Sequence, residues 1–164
     1  MPKRLQYADA TIDAFSDTFL VVCPQCSQRA LVRDRGQTLQ PRVLLACPHC
    51  GYNQFWEATA PVIMTARNGQ HYKRGQIGIG DAVDWYFHRP LWLQQPCCGA
   101  TLWAYNPTHL AFIEDYVHAL LRERQPDAQG WSNRSLRSRF PKWMQAAKNR
   151  TAVLACIEKL KQKI

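Results

Sequence analysis

Four cysteines in two matched pairs are the residues of this sequence best suited to chemistry. Cys23 and Cys26 form one C-x-x-C unit, Cys47 and Cys50 form a second, and twenty residues separate the two units. A tight turn bearing two thiolates offers only half of a tetrahedron, so a second turn has to complete the coordination of a metal ion. The spacing therefore predicts one structural zinc ion per chain, held by these four cysteines. Iron, which also accepts four thiolates, is the alternative metal.

Paired cysteines also occur in disulfide scaffolds and in redox motifs. Disulfide scaffolds are typical of secreted proteins, and residues 1–10 lack the apolar core of a signal peptide. A thioredoxin-like C-x-x-C appears once, at a strand-to-helix junction, whereas this motif appears twice between predicted strands. Both patterns favour a metal site over a disulfide, and free thiolates indicate a reducing compartment, with the cytoplasm as the expected location.

Predicted strands flank both cysteine turns. Segments rich in β-branched and aromatic residues occur at Thr18–Val22, Ala30–Val32 and Arg42–Ala46. The order of strands and turns over about Phe19–Trp56 resembles a four-cysteine zinc ribbon of the general transcription factor B type, as also found in RNA polymerase subunits. The resemblance implies antiparallel hairpins and a structural zinc. It implies little about activity, because such ribbons bind DNA, RNA or protein, or only stabilise a hairpin.

A weaker internal repeat follows the ribbon. Gln95-Pro96-Cys97-Cys98-Gly99 aligns with the second cysteine turn, with Gln95 in place of the first ligand. We interpret it as a third hairpin of the same shape, with a degenerate cysteine turn that lost or never had its metal. Between the two, Val62–Ala66 and Gln76–Ile79 are predicted strands around an Asn68-Gly69 turn that a basic loop follows, and Asp81 is expected to cap a short helix.

Helical patterns dominate the C-terminal part. Asn106 and Pro107 predict a helix that begins there and runs to about Arg124. A last helix is expected over about Thr151–Gln162, and its predicted buried stripe comprises Val153, Cys156, Ile157, Leu160 and Ile164.

These patterns predict an α+β fold in which antiparallel zinc-ribbon hairpins are extended by further β-hairpins and followed by a C-terminal helical segment. The expected organisation is an N-terminal arm (1–18), the ribbon (19–56), a β-hairpin extension with the degenerate turn (57–105), a packing helix (106–124), a linker (125–133) and a basic helical tail (134–164).

Further ligand or catalytic sets can be drawn from the remaining side chains. Cys97 and Cys98 with His88 or His109 would make a second metal site, although adjacent cysteines rarely chelate one ion well. A nuclease-like cluster of Asp81, Asp84 and His88 lacks a supporting motif, as does a thiol dyad of Cys98 with His109. Because a four-thiolate zinc has no open coordination position, we expect no enzymatic activity.

The positive charge of the chain is concentrated at its C-terminal end. The net charge is +9, and residues 128–164 contain nine Lys and Arg residues against one acidic residue, compared with twelve against eleven in residues 1–127. No apolar run approaches a membrane span of about twenty residues, so a soluble protein is expected and no membrane partner.

In the basic tail, the aromatic residues Phe140 and Trp143 lie among the cations. Cations paired with phosphates release counterions, and exposed rings stack on bases. The pattern favours a non-catalytic DNA- or RNA-binding, transcription-associated protein. An acidic protein partner, with the chain acting as an adaptor or subunit of a larger complex, is the alternative. The candidate nucleic-acid-binding residues are Arg134, Arg137, Arg139, Lys142, Trp143, Lys148 and Arg150.

Overall fold

The protein is a mixed α+β protein with antiparallel hairpins and C-terminal helices. The computed structural model describes residues 12–35, 42–56, 63–65, 71–73, 81–119 and 140–164. Two compact units are formed. The first, here called the sheet unit, is Thr18–Trp92, and the second, the terminal unit, combines Met1–Asp17 with Leu93–Ile164.

A four-stranded antiparallel sheet organises the sheet unit. Its strands are β1 (Thr18–Val22), β2 (Arg29–Asp34), β3 (Val43–Ala46) and β4 (Asn53–Phe55), paired in chain order. The predicted strand at Thr18–Val22 is confirmed with the same bounds. Because side chains alternate between the faces of a strand, the buried residues form cross-strand rows. The register aligns Phe19 with Val32 and Val32 with Leu45, and all three are fully buried.

A separate two-stranded hairpin consists of β5 (Ile63–Thr65) and β6 (His71–Lys73). The sequence predicted β5 within Val62–Ala66, and this is confirmed. The sequence assigned His71–Lys73 to the basic loop, and this was wrong, because these residues form a strand that pairs with β5. The predicted strand at Gln76–Ile79 lies outside the described residues.

A compact turn replaces the short helix expected after Asp81. The Asp84 carboxylate is fully buried and organises this turn by accepting backbone N–H groups. Its Oδ1 accepts from Tyr86 at 2.9 Å and Phe87 at 2.8 Å, and its Oδ2 accepts from Arg89 at 2.6 Å. The predicted helix was wrong because a side-chain acceptor inside the segment satisfies the same N–H groups that a helical turn would use.

The terminal unit begins with the hairpin of β7 (Leu93–Cys97) and β8 (Ala100–Ala104). Cys97 pairs with Ala100, so the connection is only two residues, Cys98 and Gly99, with φ of 52° and 76°. Positive φ at both central positions is the requirement of a type I′ hairpin turn. The segment interpreted as a degenerate third cysteine turn therefore has the geometry of a tight hairpin.

Helix α1 (Pro107–Ala119) follows the hairpin and is capped as predicted. The Asn106 side chain is buried, and its Oδ1 accepts the N–H of His109 at 2.9 Å. Its Nδ2 donates to the carbonyl of Phe15 at 2.8 Å, which ties the helix start to a short 3-10 helix at Ile12–Phe15. One side chain thus serves as helix cap and as anchor for the N-terminal segment.

The last part of the chain comprises α2 (Lys142–Gln145), a 3-10 turn (Ala147–Asn149) and α3 (Arg150–Lys161). Val153, Ile157 and Leu160 are buried, as the helical stripe predicted. Two members of that stripe were wrong. Ile164 lies beyond the end of α3 and is 50% exposed, and Cys156 is only partly buried at the side of the helix.

Candidate metal centre

The first cysteine turn connects β1 to β2. Its backbone is fixed by two hydrogen bonds, from Ser27 N–H to the Cys23 carbonyl at 3.0 Å and from Cys23 N–H to the Gln28 carbonyl at 2.8 Å. Ser27, directly after the second cysteine, has φ of 61°. A left-handed residue at this position reverses the chain while both thiols remain on the same side of the turn.

The second cysteine turn, between β3 and β4, repeats this geometry. Gly51 N–H donates to the Cys47 carbonyl at 3.0 Å, and Cys47 N–H donates to the Tyr52 carbonyl at 2.8 Å. The left-handed position is here a glycine, Gly51, with φ of 76°. Two turns of the same construction therefore present two thiols each.

The four sulfur atoms lie together. Cys23 Sγ is 3.7 Å from Cys50 Sγ, Cys26 Sγ is 3.6 Å from Cys47 Sγ, and all four lie within 4.8 Å of one another. Each short contact joins the first cysteine of one turn to the second cysteine of the other. A tetrahedral zinc ion with Zn–S bonds of about 2.3 Å requires sulfur–sulfur edges of about 3.8 Å. The positions of these cysteines therefore fit the coordination of one metal ion, consistent with zinc.

The charge of the four thiols also indicates a cation. Burial raises the pKa of the Cys23 thiol, but N–H groups of Cys26 and Gln25 stabilise its thiolate, and the net result is a pKa of about 7. At Cys26, the N–H of Gln28 lowers the pKa of the thiol. Desolvation and the three neighbouring thiols together outweigh this effect and raise the pKa to about 12. Four thiolates at this distance repel one another, so they require a metal ion to be fully ionised.

Burial differs within each turn in the same way. The first cysteines, Cys23 and Cys47, are 1% and 3% exposed, whereas Cys26 and Cys50 are partly exposed. Gln25 N–H also donates to Cys23 Sγ at 3.4 Å, as amides commonly do at a metal-bound sulfur. A four-thiolate set of this kind leaves no position for a substrate, so the arrangement is suited to a structural ion.

The residues considered for a second metal differ in exposure. His88 and Cys98 are exposed, whereas Cys97 is buried. The His109 ring is buried, and its Nδ1 accepts the N–H of Tyr105 at 3.2 Å. Within the part of the chain that the structure describes, the only group of three or more potential ligands is the four-cysteine cluster. The second metal stays a prediction.

Three of the candidate catalytic residues, Asp81, Asp84 and His109, form hydrogen bonds or ring contacts within the fold. Asp84 accepts the three N–H groups described above, and Asp81 Oδ1 accepts the N–H of Ala82 at 2.7 Å. His109 stacks on Phe15 with ring centroids 5.0 Å apart. Burial lowers the pKa of His109 to about 4, so the imidazole is neutral near pH 7. The sequence did not reveal most of these hydrogen bonds. The exception is the bond from the His109 N–H to Asn106, because Asn106-Pro107 predicted a capped helix start.

The basic tail is in part a packed element of the terminal unit. Lys142 and Lys148 are exposed, whereas Trp143 and Arg150 are partly buried. The ion pairs found among the described residues involve Lys161 and not these lysines. Three of the predicted nucleic-acid-binding residues lie outside the described residues, namely Arg134, Arg137 and Arg139.

Phe140, one of the aromatic rings in the basic tail, is a core residue. It is 9% exposed and stacks on Tyr116 with ring centroids 4.2 Å apart and on Phe112 at 6.1 Å. Its ring is therefore not available to stack on a base. The sequence could not distinguish a buried ring from an exposed one here, because Phe140 is covered by Tyr116 and Phe112, which lie more than twenty positions away in the chain.

Comparison with known proteins gives no relative from which a function can be taken. No family model matches the chain, and neither a curated protein nor a solved structure matches it significantly. No helix among the described residues is long and apolar enough to cross a membrane. Fold and site define an α+β protein with a four-cysteine site that fits one metal ion.

Proposed function

We propose that this chain is a non-catalytic zinc-ribbon protein that binds nucleic acid through its basic C-terminal segment. The observation that carries the zinc-ribbon assignment is the pair of like cysteine turns whose sulfurs approach to 3.6 and 3.7 Å. The turns connect neighbouring antiparallel strands, which is the arrangement of a zinc ribbon. The ion is structural, since all four positions of a tetrahedral zinc are taken by cysteines.

The nucleic-acid part rests on charge. Residues 140–164 contain six Lys and Arg residues and one acidic residue. Lys142 and Lys148 are exposed at the start of this segment, where no described ion pair involves them. A lysine that is not held in an ion pair can bind a phosphate, and the nucleic acid then releases the counterion of that phosphate. Trp143 lies between them in the sequence and is partly exposed.

Salt dependence tests the proposal. The zinc-loaded full chain is titrated with a fluorescent duplex DNA and, separately, with single-stranded RNA of equal length at increasing salt. If the six candidate cations each contact a phosphate of duplex DNA, log K falls against log salt with a slope of about −5. These cations are Arg134, Arg137, Arg139, Lys142, Lys148 and Arg150. An affinity that does not change with salt, or no binding to either probe, would contradict nucleic-acid binding and leave the zinc assignment untouched.

A matched pair of lysine variants locates the contact. Lys148→Gln is expected to reduce the salt slope by about one for every sequence tested, because a phosphate contact is lost without loss of base readout. Lys159→Gln removes the same charge from an exposed position near the other end of α3 and is expected to leave the slope unchanged. Equal effects of the two variants would argue for a diffuse charge effect instead of a defined surface.

A protein partner is the second candidate function. It is favoured by Phe55, which is 69% exposed on β4, a strand whose three described residues are all exposed. The five described tryptophans are less exposed than this ring. In a pull-down after nuclease treatment, a defined partner that is lost with Phe55→Ala and retained with Lys148→Gln would favour an adaptor over a nucleic-acid-binding protein.

A further inference from the structure

Three cysteines outside the metal centre meet in the terminal unit. Cys97 ends β7, Cys98 occupies the hairpin turn, and Cys156 lies near the middle of α3. Cys97 is 4% exposed, Cys156 is partly exposed and Cys98 is exposed. None of the three belongs to the four-cysteine cluster, and the proposed function uses none of them.

The contacts of Cys97 and Cys156 are reciprocal. Cys97 Sγ lies 3.9 Å from the carbonyl oxygen of Ala152, one helical turn before Cys156, and Cys156 Sγ lies 3.8 Å from the carbonyl oxygen of Pro96, the neighbour of Cys97. Each sulfur therefore reaches the backbone beside the other. Burial raises the pKa of the Cys97 thiol, and its interaction with the Cys156 thiol raises this pKa further.

We propose that Cys97 and Cys156 are a redox-active thiol pair that a hydroperoxide converts to a disulfide joining β7 to α3. In the first step, the Cys156 thiol reacts with the hydroperoxide to give a sulfenic acid and an alcohol, or water when the oxidant is hydrogen peroxide. In the second step, the Cys97 sulfur attacks the Cys156 sulfur. The new S–S bond forms, and the displaced hydroxyl leaves as water with the Cys97 proton. One hydroperoxide is reduced for each disulfide.

The exposure of the two thiols determines the order of these steps. Cys156 is partly open to solvent, so an oxidant in solution can reach it. Cys97 is buried and its raised pKa keeps it a thiol near neutral pH, which protects it from direct oxidation. A buried thiol beside an accessible one acts as the resolving partner, since it reacts only once its neighbour is oxidised.

Cys98 is the competing partner for Cys97, because their sulfurs lie 3.9 Å apart. Their peptide bond is trans, and Cα atoms across a trans peptide are about 3.8 Å apart, shorter than the 4.4–6.8 Å usual for a disulfide. A bridge between them would also distort the two-residue turn in which Cys98 has φ of 52°. The bridge to Cys156 joins β7 to α3 and does not close within the two-residue turn, so we expect it to be the favoured product.

Disulfide mapping of the full, zinc-loaded chain tests this proposal. The protein is treated with hydrogen peroxide, its remaining thiols are alkylated, and its peptides are mapped by mass spectrometry with and without dithiothreitol. The expected product is a Cys97–Cys156 linkage that dithiothreitol reverses. The same linkage is expected in Cys98→Ser, the matched control, and no linkage to Cys97 is expected in Cys156→Ser.

Two results would overturn the proposal. One is a Cys97–Cys98 linkage in the wild-type chain. The other is recovery of Cys97 and Cys156 as alkylated thiols under conditions that oxidise the exposed Cys98, which reports that the oxidant reached the protein. Neither readout depends on nucleic-acid binding or on the metal, so failure here is distinguishable from failure of the proposed function.

Discussion

The two units of this protein bring their cysteines together through different local structures. In the sheet unit, two turns of equal construction project four sulfurs towards one point, 3.6 and 3.7 Å apart in the closest pairs. In the terminal unit, Cys97 and Cys98 sit at a tight hairpin turn, and Cys156 comes from a helix. Cysteine content alone is therefore a poor guide to a metal site, and the geometry of the turns that present the sulfurs decides it.

We expect stability to differ between the units for the same reason. The cysteine turns of the sheet unit are short loops beyond the buried strand rows, and their four thiols fit one common ion. Side-chain packing stabilises the terminal unit. Its aromatic rings contact one another at Phe15, Phe112, Tyr116 and Phe140, and α3 contributes a buried apolar stripe. We expect loss of metal to affect the first unit and loss of apolar volume to affect the second.

Removal of a metal ligand is the largest expected effect. In Cys26→Ser, the sheet unit should lose its fold, because zinc binding contributes an apparent free energy of about 10–16 kcal/mol in zinc-finger peptides, comparable with the stability of a whole domain. Zinc content by elemental analysis and amide signals of β1–β4 by NMR measure the change. The terminal unit should retain its signals.

Cys98→Ser is the matched control for the ligand variant. It makes the same atomic change at an exposed cysteine and should leave both zinc content and β1–β4 signals unchanged. A Cys26→Ser protein that still binds one zinc and gives native signals for β1–β4 would show that the four sulfurs do not act as one site.

Loss of apolar volume should have the next largest effect. Ile157 is fully buried on α3, so Ile157→Ala should reduce the free energy of unfolding of the terminal unit by about 3 kcal/mol through lost burial and a cavity. Ile164→Ala removes the same atoms at a 50% exposed position and should change it by about 0.5 kcal/mol or less. Denaturant unfolding followed by NMR signals of the terminal unit compares them, and similar losses would contradict the described packing of α3.

The sequence was most informative where local geometry determines the structure. The C-x-x-C spacing located the four-cysteine cluster, the β-rich Thr18–Val22 segment located β1 with its bounds, and Asn106-Pro107 located the start of α1. Each of these signals lies within a few residues of the feature it predicts. Turn and cap chemistry can therefore be recognised before any tertiary contact is known.

Long-range contacts account for what the sequence did not reveal. Cys97 and Cys156 are far apart in the chain, and nothing in the sequence indicated that each thiol lies beside the backbone of the other; helical periodicity suggested only that Cys156 lies in a core. Phe140 was grouped with the cations because it lies among them, although stacking on Tyr116 removes it from the surface. Likewise, the buried Asp84 overrode the helical pattern around it by satisfying three backbone donors.

Acidification should destabilise the terminal unit through His109. Its folded pKa is about 4, below the ordinary value of 6.5, so the unfolded chain takes up the proton first as pH falls. The contribution is fully present above pH 6.5 and is lost as pH falls towards 4, for a total of about 3 kcal/mol. Denaturant unfolding of the terminal unit between these pH values measures it by NMR.

A non-titrating variant isolates the histidine in that experiment. In His109→Asn, the side-chain oxygen can replace Nδ1 as acceptor of the Tyr105 N–H, and no proton is taken up in this range. The variant should be less stable near pH 7 because its ring contacts are lost, but its stability should depend less on pH between 6.5 and 4. An unchanged pH dependence would assign the acid sensitivity to other groups.

The ion pair between α3 and α1 should have the smallest effect. Lys161 Nζ lies 2.6 Å from Glu114 and 2.9 Å from Glu158, and the hydrogen bond that it donates to Glu114 is the main cause of its raised pKa. The lysine side chain is 38% exposed, so solvent screens the pair and its coupling should be about 0.5 kcal/mol. A double-mutant cycle with Lys161→Met and Glu114→Gln at low and high salt measures it. A coupling above about 2 kcal/mol would mean that electrostatics, and not the apolar stripe, holds α3 to this unit, which would reverse the contrast drawn between packing and metal.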